Sequence, residues 1–437
     1  MLKFIDLFAG MGGTRVGFTQ ACNAYGLKAE CVFTSEIKPY AVDLYKHNFN
    51  NEEVYGDITQ IEAKDIPDFD FLLGGFPCQA FSTAGKRMGF NDTRGTLFFD
   101  VARILKEKKP QGFLLENVEG LVTHDRENKT DRTGRTLKVI IATLEELGYH
   151  VSWKVLNAND FGVPQNRKRI YITGTLNGTP DLSEFKAFHK TLEDILERGL
   201  PCEKTQFREK LLSLYTKEQL YGKAIKDKRG GRDNIHSWDL ELKGPVSGVQ
   251  KQLMGSLLKA RRQKKWAQEI GIVWMDGMPL TLEQIFSFFN EVDKAELEDM
   301  LEDLVSKDYI KFEHPKELVT LADGSSKRIP DTSKPKGYNI VSGKLSFELN
   351  KILDPKGTIN TIVATETHKF GVIDNDGIRS LSERECLRLF GFPDSYSNCI
   401  SQKDLYDLIG NTVVVPVIQA VASRVLEQLN LSNVDAA

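Results

Sequence analysis

Short apolar runs that stop at a glycine or an acid recur through the first 175 residues. Phe4-Ile5-Asp6-Leu7-Phe8 is the first, and Ala9-Gly10-Met11-Gly12-Gly13 turns it from strand into helix. Cys31 to Ser35 is a second strand, ending in Glu36, and Val54-Tyr55-Gly56-Asp57-Ile58 holds a third, again with an acid, Asp57, placed after a short strand. Phe69-Asp70-Phe71-Leu72-Leu73 is a fourth, leaving through Gly74-Gly75-Phe76-Pro77 to Cys78 and Gln79. Phe113-Leu114-Leu115 is a fifth and delivers Glu116-Asn117. Thr96 to Leu105 has helical spacing, with Pro110 after its end. Gln165-Asn166-Arg167-Lys168-Arg169 then runs into the alternating strand Ile170 to Gly174. Residues two apart on a strand share a face, so Arg167 and Arg169 are expected to point together. Polar chemistry at the carboxyl ends of successive strands is what an open, doubly wound α/β sheet produces.

Each signal taken singly has a bland alternative. Gly10 and Gly12 open a dinucleotide fingerprint, and Glu36 stands where an acid would grip a ribose, but Arg15 occupies the third glycine position. Cys78 sits on a loop stiffened by Pro77, which suits a nucleophilic thiolate; alone, a small buried apolar cysteine is the commoner outcome. Arg167 and Arg169 are either a solvated cluster or a carboxylate or phosphate site. The run Phe81 to Gly89 has the composition of a closing loop, with Lys86 and Arg87 able to meet phosphates, or is an ordinary exposed loop.

Composition narrows the class. At 437 residues the chain is long enough for two or three domains. Leu2 to Phe8 is interrupted by Lys3 and Asp6 and is no signal peptide, and no apolar run approaches the ~18 residues of a membrane span. The 6 cysteines are scattered without a C-x-x-C pair, so a reducing cytosol and no metal site are expected. A net charge of −3 means that any nucleic-acid footprint is local.

Taken together, Phe4 to Gly13, Pro77-Cys78-Gln79, Glu116-Asn117-Val118, Gln165 to Arg169, Arg379 to Tyr396 and Gly410 to Val413 resemble the cytosine-5 DNA methyltransferases of bacterial restriction–modification systems. The resemblance implies a Rossmann-like sheet that uses S-adenosyl-L-methionine, with an inserted smaller target-recognition domain. It implies that Cys78 adds to carbon 6 of a flipped-out cytosine, that Glu116 protonates N3, and that Arg169 with Arg167 steadies the base and the carboxylate. Cofactor contacts carry over to Phe8, Ala9, Gly10, Met11 and Gly13, to Glu36-Ile37 at the ribose and to Asp57-Ile58 at adenine. Gly75, Pro77 and Leu97 line the same pocket, and Asn411, Thr412 and Val413 close it. Gln79, Ser82, Lys86, Arg87 and Thr361 fall beside the DNA. The implied partner is double-stranded DNA, with a cognate restriction endonuclease acting separately; the chain itself is expected to be a cytoplasmic monomer.

The resemblance sets residues 1–187 and 403–437 as the catalytic domain and 188–402 as the recognition domain. Within the latter, Lys226, Lys228 and Arg229 beside Gly230-Gly231 form a patch suited to a phosphate backbone. A helix through Leu253, Leu257, Ala260, Ala267 and Ile270 ends at Gly271, with Lys259, Arg261, Arg262, Lys264 and Lys265 on its polar side, either solvated or facing DNA. Residues 279–330 read as a separate winged-helix-like unit whose acidic helix, with Glu298, Asp299 and Glu302, repels phosphates. An oxidoreductase would share the first turn and Glu36 but gives no account of Cys78, Glu116 and the arginines. Amino-group methyltransferases carry a different motif where Phe76-Pro77-Cys78-Gln79 stands, and the related tRNA-methylating branch lacks a large insertion.

Overall fold

The computed structural model describes residues 1–76, 97–128, 130–227, 234–320, 325–341, 347–364 and 366–429. The chain divides into two compact units. The first is Met1–Glu197 with Pro355–His368 and Leu381–Ala437; the second is Arg198–Asp354 with Lys369–Ser380. These boundaries differ from 187/188 and 402/403: the stretch Arg379 to Tyr396 is shared out, Arg379 and Ser380 to the second unit and the rest to the first.

The first unit is built on a six-stranded sheet. Its elements are β1 (Leu2–Leu7), α1 (Gly13–Ala24), β2 (Ala29–Ser35), α2 (Pro39–Asn48), β3 (Phe71–Gly74), α3 (Leu97–Lys108), β4 (Gly112–Val118), α4 (Arg135–Glu146), β5 (His150–Asn157) and β7 (Lys168–Thr175), with a short β6 (Gln165–Asn166) outside this sheet. The order is β2-β1-β3-β4-β7-β5. The first four strands are parallel, and β7 runs antiparallel between β4 and β5. The apolar runs of β1, β3 and β4 follow from burial on both faces: Ile5, Leu7, Leu72, Phe113 and Leu115 share one core with α3 and α4. The predicted third strand is not a member of the sheet, because only Tyr55 makes an isolated bridge, to Ser35. The strand order reverses about β1, whose neighbours are β2 on one side and β3 on the other. That switch point is where open α/β sheets leave a crevice.

The second unit has two cores. One joins the helix Gln206–Leu214 to a five-stranded sheet through Phe207, Leu211, Ile225, Ile352 and Ile378. The other is helical. The helices Gly248–Ala260 and Lys265–Ile270 share it with Lys294–Ser306, so residues 279–330 are no separate unit: Leu297, Leu301 and Leu304 bury with Leu253, Leu257 and Trp266. The strand Ile310–Glu313 pairs with Gly337–Ile340 and only Lys316–Thr320 with Ser326–Pro330 forms the expected hairpin. Periodicity identified the apolar faces but not what they cover. Arg261 also departs from expectation, being buried with its Nη1 donating to Asn339 Oδ1 at 2.7 Å.

The helix Val415–Gln428 returns to the sheet unit and buries Val417, Ile418, Val421 and Val425, each such side chain contributing about 1.5–3 kcal/mol. The stretch Gln402–Gln428 is apolar enough to cross a membrane on composition alone, yet 72% of its most apolar window is buried. Gly17 is what lets the helix approach α1: a β-carbon there would lie 2.7 Å from both Ile418 Cβ and the Val415 carbonyl oxygen. Gly17→Ala is therefore expected to lower unfolding free energy by roughly 1–3 kcal/mol, read as a shifted midpoint in urea denaturation. An unchanged midpoint would show that the two helices can part without loss.

Candidate active site

Strand register aligns the site. Leu7 pairs with Ser35 and with Gly74, and Gly74 pairs with Leu115. The next residues of the first three, Phe8, Glu36 and Gly75, therefore leave the sheet side by side at one edge, next to Glu116, which stays within β4 opposite Tyr171. They line a cavity of about 790 Å³. Ala9, Gly10, Met11, Gly13, Ile37, Asp57, Ile58, Leu97, Asn411, Thr412 and Val413 line it too, as do Arg167 and Arg169. Every described residue carried over for the cofactor is on this wall. Pro77, Cys78, Gln79, Ser82, Lys86 and Arg87 lie outside the described residues, as do Lys228 and Arg229.

The turn after β1 is held from three sides. Gly12 has φ 79°, and a β-carbon on it would meet the Phe49 ring at 2.4 Å, so both its conformation and its space require glycine. Glu36 accepts from the Gly10 N–H at 2.8 Å through one oxygen and from the Ile37 and Lys38 N–H groups at 2.8 and 2.9 Å through the other. The Tyr396 hydroxyl donates to the Met11 carbonyl at 2.7 Å. Asp57 caps the turn Ile58–Gln60 by accepting from the Thr59 N–H at 3.0 Å. A β-carbon at Gly10 would meet nothing within 4 Å, so the turn faces open space. That opening, the carboxylate of Glu36 and the apolar Ile37 and Leu97 together fit a nucleoside-bearing cofactor.

Glu116 and Arg169 form the polar end. Arg169 Nε lies 3.1 Å from Glu116 Oε1, with both side chains largely covered. Burial pushes the Glu116 carboxyl above its ordinary range, against the opposing pull of Arg169 and Arg167. Asn117 was not assigned a role from sequence, yet its amide donates to the Phe76 carbonyl at 2.8 Å and so fixes the last described residue before Pro77. The adjacency of Asn117 to Glu116 was the available signal. Lys38 was also missed; it pairs with Asp407 at 2.7 Å, across a separation that leaves no local pattern.

Arg167 behaves differently from expectation. It lies between β6 and β7 rather than within a strand, so the rule that residues two apart share a face does not govern it. Its guanidinium donates to the carbonyls of Ile362 and Gly410 at 3.3 Å each and of Thr412 at 2.8 Å, over the Phe390 ring. Burial and neighbouring Arg169 push it down to about 10. It borders the cavity but spends its hydrogen bonds on the backbone. Thr361 donates to the Asn166 carbonyl at 2.8 Å and lines a second cavity of about 480 Å³ with Lys168, Asn166 and Arg169. Lys226 is exposed in the second unit, as are Glu298, Asp299 and Glu302.

The family model for C-5 cytosine-specific DNA methylase matches residues 2–427. The chain is 60% identical over 428 residues to Type II methyltransferase M.NlaIV of Neisseria lactamica, covering 98% of this chain and 99% of that one. To Type II methyltransferase M.BanI of Aneurinibacillus aneurinilyticus it is 41% identical over 459 residues, covering 99% and 97%. Among solved structures, a DNA modification methyltransferase encoded within an E. coli prophage aligns with TM-score 0.52 at 20% identity, covering 98% of this chain and 100% of that one. The S. pombe Dnmt2 methyltransferase aligns with TM-score 0.50 at 17% identity, covering 98% and 99%. At such identities the structures support the methyltransferase α/β fold alone.

The three carbonyls on Arg167 predict a stability effect. Arg167→Gln is expected to cost roughly 2–4 kcal/mol in urea unfolding, because buried acceptors lose a charged donor. Amide exchange at Val363 and Asn411 should quicken in step. Arg167→Lys should not restore it, since one ammonium does not reproduce the planar fork. A variant with unchanged unfolding and exchange would refute the clamp.

Proposed function

The chain belongs to the C-5 cytosine-specific DNA methylases, and on that premise we propose that it methylates carbon 5 of a flipped-out cytosine in a specific duplex sequence through a covalent bond from Cys78 to carbon 6. The cofactor we assign is S-adenosyl-L-methionine, and the biological role is protection of DNA alongside a separately acting restriction endonuclease. The observation that carries this reading is one cavity bordered by both the glycine turn with Glu36 and the Glu116–Arg169 pair. It offers a place for a nucleoside cofactor next to an acid–cation pair suited to a pyrimidine.

Carbon 5 of cytosine is a weak nucleophile, and activating it is the task of the chain's own groups. Thiolate addition at carbon 6 by Cys78 converts the ring to an enamine whose carbon 5 carries the electron density. Glu116 supplies a proton at N3, for which its raised carboxyl is suited. Arg169 holds Glu116 through Nε while its Nη1 donates to the Lys168 carbonyl, which leaves Nη2 for the ring carbonyl. Asn117 steadies Phe76, two residues before Cys78 in the chain. When bound, the cofactor supplies an electrophilic methyl group on a sulfonium. Phe8 to Met11, Gly13, Glu36, Asp57 and Asn411 to Val413 would hold it. Loss of the carbon 5 proton and expulsion of the thiolate restore the aromatic ring. A base inside a stacked duplex cannot reach such a cavity, so the nucleotide must swing out, at a cost of a few kcal/mol.

Cys78→Ser should abolish methyl transfer to duplex DNA while leaving cofactor binding in place, measured by bisulfite sequencing of plasmid from expressing cells and by equilibrium binding. Duplex carrying 5-fluorocytosine at the methylated position should become attached to wild type and survive denaturant, because fluorine does not depart as a cation. Methylation by Cys78→Ser, or no adduct on a confirmed site, contradicts the covalent route.

Glu116→Gln should slow single-turnover transfer by about 10²- to 10⁴-fold. The sign with pH follows from the raised carboxyl: its acid form is populated below its pKa and lost above it. Wild-type rate should therefore fall on the alkaline side as Glu116 ionises, and Glu116→Gln should lack that limb. A variant that keeps both the rate and the limb would assign the proton to another group.

A further inference from the structure

Asp6 lies on β1, two residues before Phe8, and the reaction just described makes no use of it. It is fully buried. One carboxyl oxygen accepts from the Thr14 hydroxyl at 2.7 Å, and the other has no hydrogen-bond partner. Thr14 itself lines the large cavity, so the carboxyl stands behind that wall by a single side chain. The groups facing it are Thr14 and Arg15 from α1, Cys31 and Thr34 from β2, Glu36 after that strand, and Tyr45 from α2. Arg15 does not complete the carboxyl: its fork is taken by Glu52, at 2.5 and 2.8 Å, and by Tyr45 at 3.2 Å. A buried carboxylate with one oxygen unmet and its nearest cation engaged elsewhere lacks positive charge.

We propose that Asp6 couples cofactor binding to release of a proton, bracing the turn through Thr14 as a neutral carboxyl and ionising when a cationic cofactor fills the adjoining cavity. This rests on the methyl-donor reading above. Burial pushes the carboxyl up to about 7, with Glu36 adding to the rise and Thr14, Arg15 and the Tyr45 hydroxyl opposing it, so the group stands near its midpoint at neutral pH. The donor carries a sulfonium; the thioether product does not. A cation in the cavity favours the carboxylate, and the proton leaves to solvent. After transfer that cation is gone, the carboxyl takes its proton back, and the product is held less tightly than the donor. Reciprocity then makes donor affinity rise with pH where product affinity does not.

Calorimetry in buffers of differing ionisation enthalpy tests this on the full chain, with S-adenosyl-L-methionine and S-adenosylhomocysteine as probes. The two ligands share their amino and carboxyl groups, so those protons cancel in the comparison. Near pH 7 the donor should release on the order of half a proton more than the product, with donor Kd falling roughly threefold per pH unit from 6 to 8. Asp6→Asn should erase the difference between ligands. Equal proton release by both ligands on wild type overturns the proposal, whether or not the variant folds, and leaves the methylation reading standing. An undiminished difference in a folded Asp6→Asn chain overturns it as well. Failure to bind either ligand overturns both readings.

Discussion

One guanidinium makes the sheet unit a single body. Arg167 donates to carbonyls at 362, 410 and 412, and these belong to two stretches that rejoin the unit after the chain has run through the second one, over 198–354 and again over 369–380. Beside it, Gln165 donates to the Leu389 carbonyl at 3.0 Å, and β6 pairs in parallel with Ile359–Asn360. Residues 165–167 are therefore a junction where three later segments attach. The far wall of the cavity, Gly410 to Val413, is in place because of it.

Placing that cation in the interior has consequences for the acid nearby. Arg167 has no carboxylate at bonding distance among the described residues, and its charge is met by carbonyl dipoles and the Phe390 face. Glu116 is the nearest anion acting on it, already held by Arg169. With Glu116 ionised, the trio carries one net positive charge; with Glu116 protonated, it carries two. Burial and the two arginines thus pull the carboxyl in opposite directions, and burial is the larger. The same buried positive charge favours anions brought to the cavity, a thiolate or a developing negative ring among them.

What sequence disclosed and what it hid divide along one line. The glycine turn, Glu36 and Asp57 were legible because each sits a residue or two beyond a short apolar run; parallel register brings the first two together, and the isolated bridge from Tyr55 to Ser35 brings Asp57 to them. Asn411 to Val413 were legible only through the family's blocks, since nothing local ties them to β1. The destination of Arg167 was hidden because its partners are backbone atoms, which carry no sequence signal, and because the chain leaves strand geometry at that residue. Asp6 interrupts an apolar strand; its isolation depends on Arg15 choosing Glu52, a contact between α1 and the segment that follows α2. The helix at 294–306 shows the same limit, since its spacing named Leu297, Leu301 and Leu304 but could not say that Leu253 and Trp266 cover them.

Chain entropy explains why the junction must be this strong. Between Glu197 and Pro355 the chain leaves the sheet unit and returns. Closing a flexible loop of about 150 residues costs roughly 4–5 kcal/mol, and each doubling of length adds only about 0.6 kcal/mol. The second unit is folded, which fixes its own ends and removes part of that cost. The weak length dependence means that an insertion can change size or sequence with little penalty, provided its return point is secured. Pro355–His368 is that point, and it is secured at once: Ile359 pairs with Gln165, Thr361 donates to Asn166, and the Ile362 carbonyl accepts from Arg167. The cavity edge and the anchor of the insertion are thus the same few residues, and sequence variation between 198 and 354 can proceed without displacing Glu116 or Arg169.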